Sequence, residues 1–431
     1  MSDCFLIMYN NQLDIFTPIA YQDEILGSEY YTLTGDTRTG PIIFKLQNSK
    51  DYLDLSQSIL RLKLKITNHD GTVIGAKVDQ EDSEVAIVNN VLHSIFSDVT
   101  VNLNNKRIEG GKGLYAYKTY ISTVFRMHEQ AIKNQVFTQG WAKDQYDKMD
   151  DVKNTGFVTR KAWTAEGVEK EFYGKLEVDF FKQDRLLIPG VDMEICLDRA
   201  KDSFAICTTN SSIKPTIVIT SAQLQLKVVK INPQIMLQHV ELLNKEVPAI
   251  YPINRTVINY MILKKDDKEI EFEELFNGRI PKYMLMCLVP KTAFFGDYTK
   301  NPFAFKHYNL TNVSLKKDRY PFPYEEFKPD FKNKKCIREY ISIFQSNNIF
   351  GKDETLAINY EEFLEGYTHF QWNLTADGRG KNSQPDERGN MVLKLDFKEH
   401  LTEAVVIILY GVFDGTVYVY GNGDVQTDYD S

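Results

Sequence analysis

Histidine, cysteine and tryptophan are scarce in this 431-residue chain, which holds seven, five and three of them. The histidines stand at positions 69, 93, 128, 239, 307, 369 and 400, and no HxH, HExxH or HxxxH spacing occurs. A cupin-type metal centre and a zincin are therefore not indicated. Cys4, Cys196, Cys207, Cys287 and Cys336 are odd in number, far apart and without a CxxC, which argues against a zinc site, a redox motif or a disulfide scaffold. No GxSxG nucleophile elbow is present. A long apolar run is missing too: residues 404–413 cover about half of what spans a bilayer. The opening "MSDCFLIMYNNQLDIF" has an acid where a signal peptide needs positive charge. A soluble protein made in a reducing compartment is expected, with the N-x-S/T matches at Asn210, Asn254, Asn309, Asn312 and Asn373 unmodified. Positive charge is not in excess either. The 51 Lys and Arg face 59 Asp and Glu, a net charge of −8, which argues against a dedicated nucleic-acid binder. Nor do aromatic and basic residues alternate as single-strand binding requires.

What the chain has in abundance is Phe and Tyr, 26 and 24 of them, a composition suited to a large β-core or to interface centres. Its length suggests two or three domains. Alternating patterns predict strands at 41–46, 58–67, 99–103, 172–181, 191–198 and 216–231, then at 256–265, 282–290, 309–321, 367–376, 390–397, 404–413 and 415–421. Asn104-Asn105 tolerate the left-handed backbone of a hairpin turn.

Helical spacing is confined to three stretches. Leu114, Tyr117, Ile121, Val124, Phe125 and Ile132 predict a helix over 114–137. The preceding Gly110-Gly111-Lys112-Gly113 invites a phosphate-cradle reading, but it lacks the GxxxxGK[ST] spacing and follows no buried parallel strand. At 232–245, Asn232 as cap and Pro233 at the first turn predict a linking helix. A shorter helix fits 336–344. The two β-rich halves echo one another. Val101-x-Leu103-x-x-x-Arg107 is matched by Val313-x-Leu315-x-x-x-Arg319, and Tyr120-Ile121-Ser122 by Tyr340-Ile341-Ser342. Two copies of one β-domain are expected: residues 1–231 with an N-terminal arm, a linker at 232–245, and residues 246–431.

The stretch "LLIPGVDMEICLDRAKDSF" (186–204) concentrates charge. Val191, Met193, Ile195 and Leu197 alternate with Asp192, Glu194, Cys196 and Asp198, so a half-buried strand sets three acids on its outer face, neighbours about 7 Å apart. A β-sandwich glycosidase using Asp192 and Glu194 is one reading; a solvated strand face balanced by Arg199 and Lys201 is the plainer one. No other catalytic, cofactor-binding or metal-ligating set emerges, and no cofactor is expected.

"YLDLSQSILRLKLKI" (52–66), "NNVLHSIFSDVTVNLNNKRI" (89–108), "YAYKTYISTVF" (115–125), "FFKQDRLLIPGVDMEICLDRAKDSF" (180–204), "LEGYTHFQWNLTADG" (364–378) and "VVIILYGVFDGTVYVYGNGDVQTDY" (405–429) together resemble the double jelly-roll major capsid proteins of Polinton (Maverick) elements and adintoviruses. The resemblance runs from about residue 40 to the C-terminus, while 265–305 matches nothing placed. It implies an all-β chain of two tandem eight-stranded jelly rolls with short helices in the connections. It also implies a non-enzymatic structural protein forming a homotrimer with a pseudo-hexagonal base that tiles an icosahedral shell around double-stranded DNA. Neighbouring capsomers and a penton-type single jelly-roll protein would be its partners. No specific nucleic-acid sequence and no membrane span would be involved. Its place would be the virion capsid, after synthesis in the host cytoplasm and assembly there or in the nucleus. Loops 73–88, 140–170, 294–308 and 377–390 are candidates for the tower and for contacts between trimers, and residues 1–15 for an arm reaching a neighbour or the shell interior. A carbohydrate- or receptor-binding β-protein, a spike or lectin, is the alternative class.

Overall fold

The structure, a computed structural model, describes residues 25–429 apart from 38, 39, 48, 75–83, 211, 319, 376, 377 and 379–387. The expected arm at 1–15, Cys4, Arg319 and most of loop 377–390 lie outside the described residues, as does the middle of loop 73–88.

Among the described residues, sixteen strands make up four sheets whose order repeats; Val425–Thr427 adds a short strand to one of them, and Val85–Ile87 pairs with Ile206–Thr208 in a separate two-stranded sheet. In the first half β1 (Ile25–Thr34), β2 (Ile42–Leu46), β3 (Tyr52–Thr67), β4 (Phe96–Leu103), β5 (Lys106–Glu109), β6 (Lys170–Lys175), β7 (Met193–Arg199) and β8 (Thr216–Ile231) make sheets of order β1-β8-β3-β6 and β2-β7-β4-β5. In the second half β9 (Ala249–Leu263), β10 (Glu269–Phe272), β11 (Tyr283–Pro290), β12 (Leu310–Lys317), β13 (Tyr320–Pro321), β14 (His369–Asn373), β15 (Met391–Phe397) and β16 (Val405–Val419) make β9-β16-β11-β14 and β10-β15-β12-β13. Adding eight to every label converts the first pair of sheets into the second. Each pair is a jelly roll: two antiparallel sheets built on four strands each, between which successive strands alternate except at the β4–β5 and β12–β13 hairpins. The fold is therefore all-β, a double jelly roll.

Alternation explains the first half directly. In β3, Leu60, Leu62, Leu64 and Ile66 turn inward and are almost wholly buried, while Arg61, Lys63 and Lys65 face outward. In the second half the pattern is different. All eight residues of β11 are buried, and so are the nine from Val405 to Phe413 of β16. Strands covered on both faces read as continuous apolar runs.

The echo in the sequence falls on equivalent places. Val101 and Leu103 lie on β4, and Val313 and Leu315 lie on β12, the corresponding strand. Asn104 and Asn105 both take positive φ (45° and 67°), as a two-residue hairpin between β4 and β5 requires. Tyr120-Ile121-Ser122 sit on helix α1 (Tyr115–Arg126), in the long connection from β5 to β6. Within that same connection lies α2 (Thr155–Thr164), capped by Asn154, whose side chain accepts the Gly156 N–H. Helix α3 (Pro233–Asn244) joins β8 to β9; the Asn232 side chain accepts the Gln234 N–H at 3.0 Å, and Pro233 opens the helix. Tyr340-Ile341-Ser342 sit on α4 (Ile337–Ser346), in the connection from β13 to β14.

Four expectations are corrected. The helix expected over 114–137 is broken after Arg126 and resumes as a short helix at Glu129–Asn134, because His128 pairs with Leu356 in an isolated bridge and the Glu129 N–H donates to the Thr355 carbonyl. The strand expected over 172–181 ends at Lys175. The Asp179 and Phe180 N–H groups donate to the Glu109 carboxylate instead of to a ladder, and residues 179–182 form a short 3-10 turn. Strands 404–413 and 415–421 are one strand, β16: Asp414-Gly415 looks like a turn but pairs with Asn254 and Ile253. A Cβ at Gly415 would come within 2.9 Å of the Tyr429 ring, so the glycine serves packing and not a bend. Finally, 140–170 and 294–308 are not open loops. Trp141, Asp144, Asn154 and Arg160 are buried in the first, and Asn301 to Phe305 in the second, so these residues are closed to contacts with other chains.

Candidate functional site

The acids of β7 are set out as alternation dictates. Met193, Ile195 and Leu197 are buried against the sheet below, and Glu194, Cys196 and Asp198 lie half-exposed on the other face. Glu194 is not poised as an acid. Its carboxylate holds Lys45 of β2 at 2.7 Å, and that hydrogen bond, with a further one from Asn102, keeps its pKa below the usual carboxylate range. The Asp192 backbone is tied to the β4–β5 hairpin, its N–H donating to the Asn104 side chain at 2.8 Å. Burial pushes the Cys196 thiol up, and Asp198, Glu194 and Asp98 push it further, so no thiolate forms near neutral pH. The pair Asp192 and Glu194 thus stands on a strand face with a lysine partner, and the structure does not bring it into a cleft.

The chemistry-bearing residues that the structure does bring together lie at the seam between the halves, around α1. Lys118 of α1 is buried, pairs with the half-buried Glu109 of β5 and lies 2.9 Å from the buried Asp179. Asp179 also accepts the Thr256 N–H of β9 at 2.6 Å. Burial works against the Lys118 ammonium, but Asp179 and Glu109 more than offset it, and its pKa stands above the ordinary lysine value. Burial raises the Glu109 carboxyl, and Lys118 opposes that rise. All three belong to the first half, and the Thr256 N–H of the second half fixes Asp179; removing one member leaves an uncompensated charge. A second polar hub is Asp144, whose carboxylate receives Arg160 at 2.8 Å and Asn301 at 3.1 Å, while its carbonyl accepts the Tyr367 hydroxyl at 2.8 Å.

Aromatic rings fill the space between these hubs. Tyr117, Tyr120 and Phe125 project from α1 towards Phe294, Phe303, Phe305 and His369 of the second half. Tyr117 also donates its hydroxyl to the Pro302 carbonyl at 3.1 Å. His93 and His369 are polar packing residues at this level. His93 Nδ1 lies 2.9 Å from the Tyr115 hydroxyl, and His369 Nδ1 donates to the Tyr367 carbonyl at 2.8 Å. Burial lowers their pKa values to about 4 and about 3. Composition signalled this seam only as a surplus of aromatics; nothing local marked which rings would meet.

Among the described residues, no group of three or more His, Cys, Asp or Glu side chains could hold a metal ion. No helix among them is long and apolar enough to cross a membrane. Large apolar side chains do face outward. Leu237, Met236 and Val240 are exposed on α3, Tyr260 and Ile262 on β9 with Phe295 beside them, and Tyr320, Tyr324 and Ile337 near β13. Single exposed apolar residues are ordinary, whereas several together suit a surface that another chain covers.

No protein-family model matches the chain. The Caenorhabditis elegans protein F54H12.2 is 22% identical over 386 residues, which are 87% of this chain and 90% of that protein. Among solved structures, a chain of the Sputnik virophage superposes with a TM-score of 0.62 at 12% identity, covering 95% of this chain and 90% of its own. The mavirus major capsid protein gives 0.54 at 11% identity, with 95% and 92% covered. The Faustovirus major capsid protein gives 0.53 at 8% identity, with 92% and 91% covered. These likenesses extend over both jelly rolls and their junction, and they concern the fold.

Proposed function

We propose that the chain is a non-enzymatic major capsid protein, a structural subunit that self-associates into capsomers and a virion shell. The observation that carries this reading is the strand-for-strand duplication of the jelly roll, matched over more than nine-tenths of the chain by the mavirus and Faustovirus major capsid proteins. Residues 1–231 and 246–431 are the two jelly-roll domains and 232–245 their link. Three copies of a two-domain chain present six similar corners, so a homotrimer with a pseudo-hexagonal base is the expected capsomer. The sequence resemblance points, within this fold, to the Polinton and adintovirus lineage. A penton-type single jelly-roll protein would close the vertices, and the virion would be the site of action, after synthesis in the host cytoplasm and assembly there or in the nucleus. Packed double-stranded DNA would be enclosed and not gripped, since a net charge of −8 does not favour many phosphate contacts.

The test is mass by light scattering with negative-stain imaging of the same fraction. A mass near three times 49.8 kDa, with hexagonal outlines, is expected. A stable monomer at high concentration would overturn the reading and direct attention to glycan arrays.

A further inference from the structure

Helix α3 carries more apolar surface than the two jelly rolls use. Of its residues only His239 is buried, its Nδ1 2.7 Å from the Tyr52 hydroxyl. Ile235 and Leu243 pack against the core on that same side. Gly421 presses onto Leu243, where a Cβ would come within 2.8 Å of the Leu243 carbonyl oxygen. A second stripe points away from all of this. Pro233, Met236, Leu237 and Val240 follow at i, i+3, i+4 and i+7, which is one face of a helix. Met236, Leu237 and Val240 are 41%, 64% and 44% exposed. Gln234, Gln238 and Glu241 take the remaining side. A helix that is apolar over most of its circumference is normally a buried one, yet nothing among the described residues covers this stripe.

The strand that begins beside α3 supplies a covering. Ile25, the first residue of β1, pairs with Ile231, the last residue of β8, and α3 opens at Pro233. The 24 residues before Ile25 lie outside the described residues, so they join the sheet at the N-terminal end of α3. Both jelly rolls have their eight strands without them. Their sequence nevertheless holds an unbroken apolar run, Phe5-Leu6-Ile7-Met8-Tyr9, and contains no Lys or Arg. Tyr9 stands sixteen positions before Ile25, a length that reaches up to about 50 Å when extended. The 12 residues of α3 rise only about 18 Å, so the run reaches any part of the exposed stripe. A tethered segment of this kind acts at an effective concentration on the order of millimolar. That exceeds what a separate copy reaches in dilute solution, and closing the loop costs an entropy that grows only slowly with its length.

We propose that the exposed face of α3, formed by Met236, Leu237 and Val240, is the docking surface for the apolar segment 5–9 of the same chain. Docking lays the N-terminal segment across the helix that links the two jelly rolls. It also closes an apolar face that would otherwise meet water.

Cys4 stands next to Phe5 and serves as a native probe. Full-length Leu237→Cys is treated in dilute solution with a short bismaleimide, and the products are separated under denaturing conditions and mapped by peptide mass spectrometry. A crosslink from Cys4 to the introduced thiol within one chain is expected, about tenfold more abundant than in Gln238→Cys on the polar side. Val240→Cys provides a second position on the stripe. Adding Ile7→Asp to Leu237→Cys should lower the yield about tenfold, because a charge replaces a buried apolar side chain. Unfolding midpoints show that each variant is folded. Crosslinks between two chains, from Cys4 to the introduced thiol or from one introduced thiol to another, would overturn the assignment in favour of a second copy as occupant. Equal yields on the stripe and at Gln238→Cys, or no crosslink to Cys4 from either stripe position in folded protein, would overturn it outright.

Discussion

The ring of Tyr120 on α1 lies 3.9 Å from that of Phe303, the two planes within 3° of parallel, and this stack joins the first jelly roll to the second. Both residues are completely buried, and Phe303 also meets Tyr117 and Phe204 edge-on. Replacing Phe303 by Ala removes ring contacts on several sides and leaves a void the seam cannot fill. A loss of about 3–5 kcal/mol is expected, read from equilibrium denaturation. If the two jelly rolls unfold as one unit, the transition stays single; if the seam is the weaker part, Phe303→Ala splits it in two.

Lys118 holds two carboxylates, the half-buried Glu109 and the buried Asp179, and Lys182 approaches only the second of them, at 3.9 Å. Lys118→Met keeps the length of the side chain but leaves Glu109 without its cation and Asp179 with only the more distant one. A loss of about 3–5 kcal/mol is expected. The triple variant Lys118→Met, Glu109→Gln, Asp179→Asn removes the charges as a set and should recover a large part of that loss. Urea midpoints at pH 7 compare the wild type with the single and triple variants. Equal stability of the single and triple variants would mean that packing, not uncompensated charge, sets the cost.

How far the sequence carried the fold depended on what each residue answers to. β3, β7 and β8 were legible because one face meets a core and the other meets water, which writes a period of two into the sequence. Asn104-Asn105 and Asn232-Pro233 were legible because turn and cap chemistry is local. α2 was missed: Phe157, Arg160 and Thr164 are buried against a neighbouring strand and loop, and that partner surface is distant in sequence. The break after Arg126 was missed for the same reason, since His128 pairs with Leu356 of the other half. The seam was the least legible part, because Glu109, Lys118 and Asp179 look like any other charges until the fold closes over them.

Glu194 makes its ion pair with Lys45 at the surface, where a third or more of each side chain meets water. Glu194→Gln should therefore shift stability by less than about 1 kcal/mol. It should leave the oligomeric mass unchanged by light scattering. Asp192→Asn is expected to behave alike, and neither wild type nor variant should hydrolyse glycoside substrates. Turnover lost specifically in these two variants would revive the glycosidase reading.

His93 and His369 make stability fall on the acid side. Both are fully buried, and burial lowers their pKa from 6.5 to about 4 and about 3. Between those values and 6.5 the unfolded chain binds more protons than the folded one, so stability rises with pH across that window. The contribution is complete above about pH 6.5 and is lost as pH falls towards 4. A tenfold difference in proton affinity corresponds to about 1.4 kcal/mol, so His93 alone accounts for a loss on the order of 3 kcal/mol by pH 4. His239 and His307, also lowered to about 4 by burial, act in the same direction. Chemical denaturation at intervals from pH 7.5 to 4.5 should show this decline. His93→Gln, which keeps a polar partner for Tyr115 but cannot take up a proton, should start from a lower stability at pH 7.5 and decline less steeply. An unchanged slope in that variant would assign the acid sensitivity to other groups.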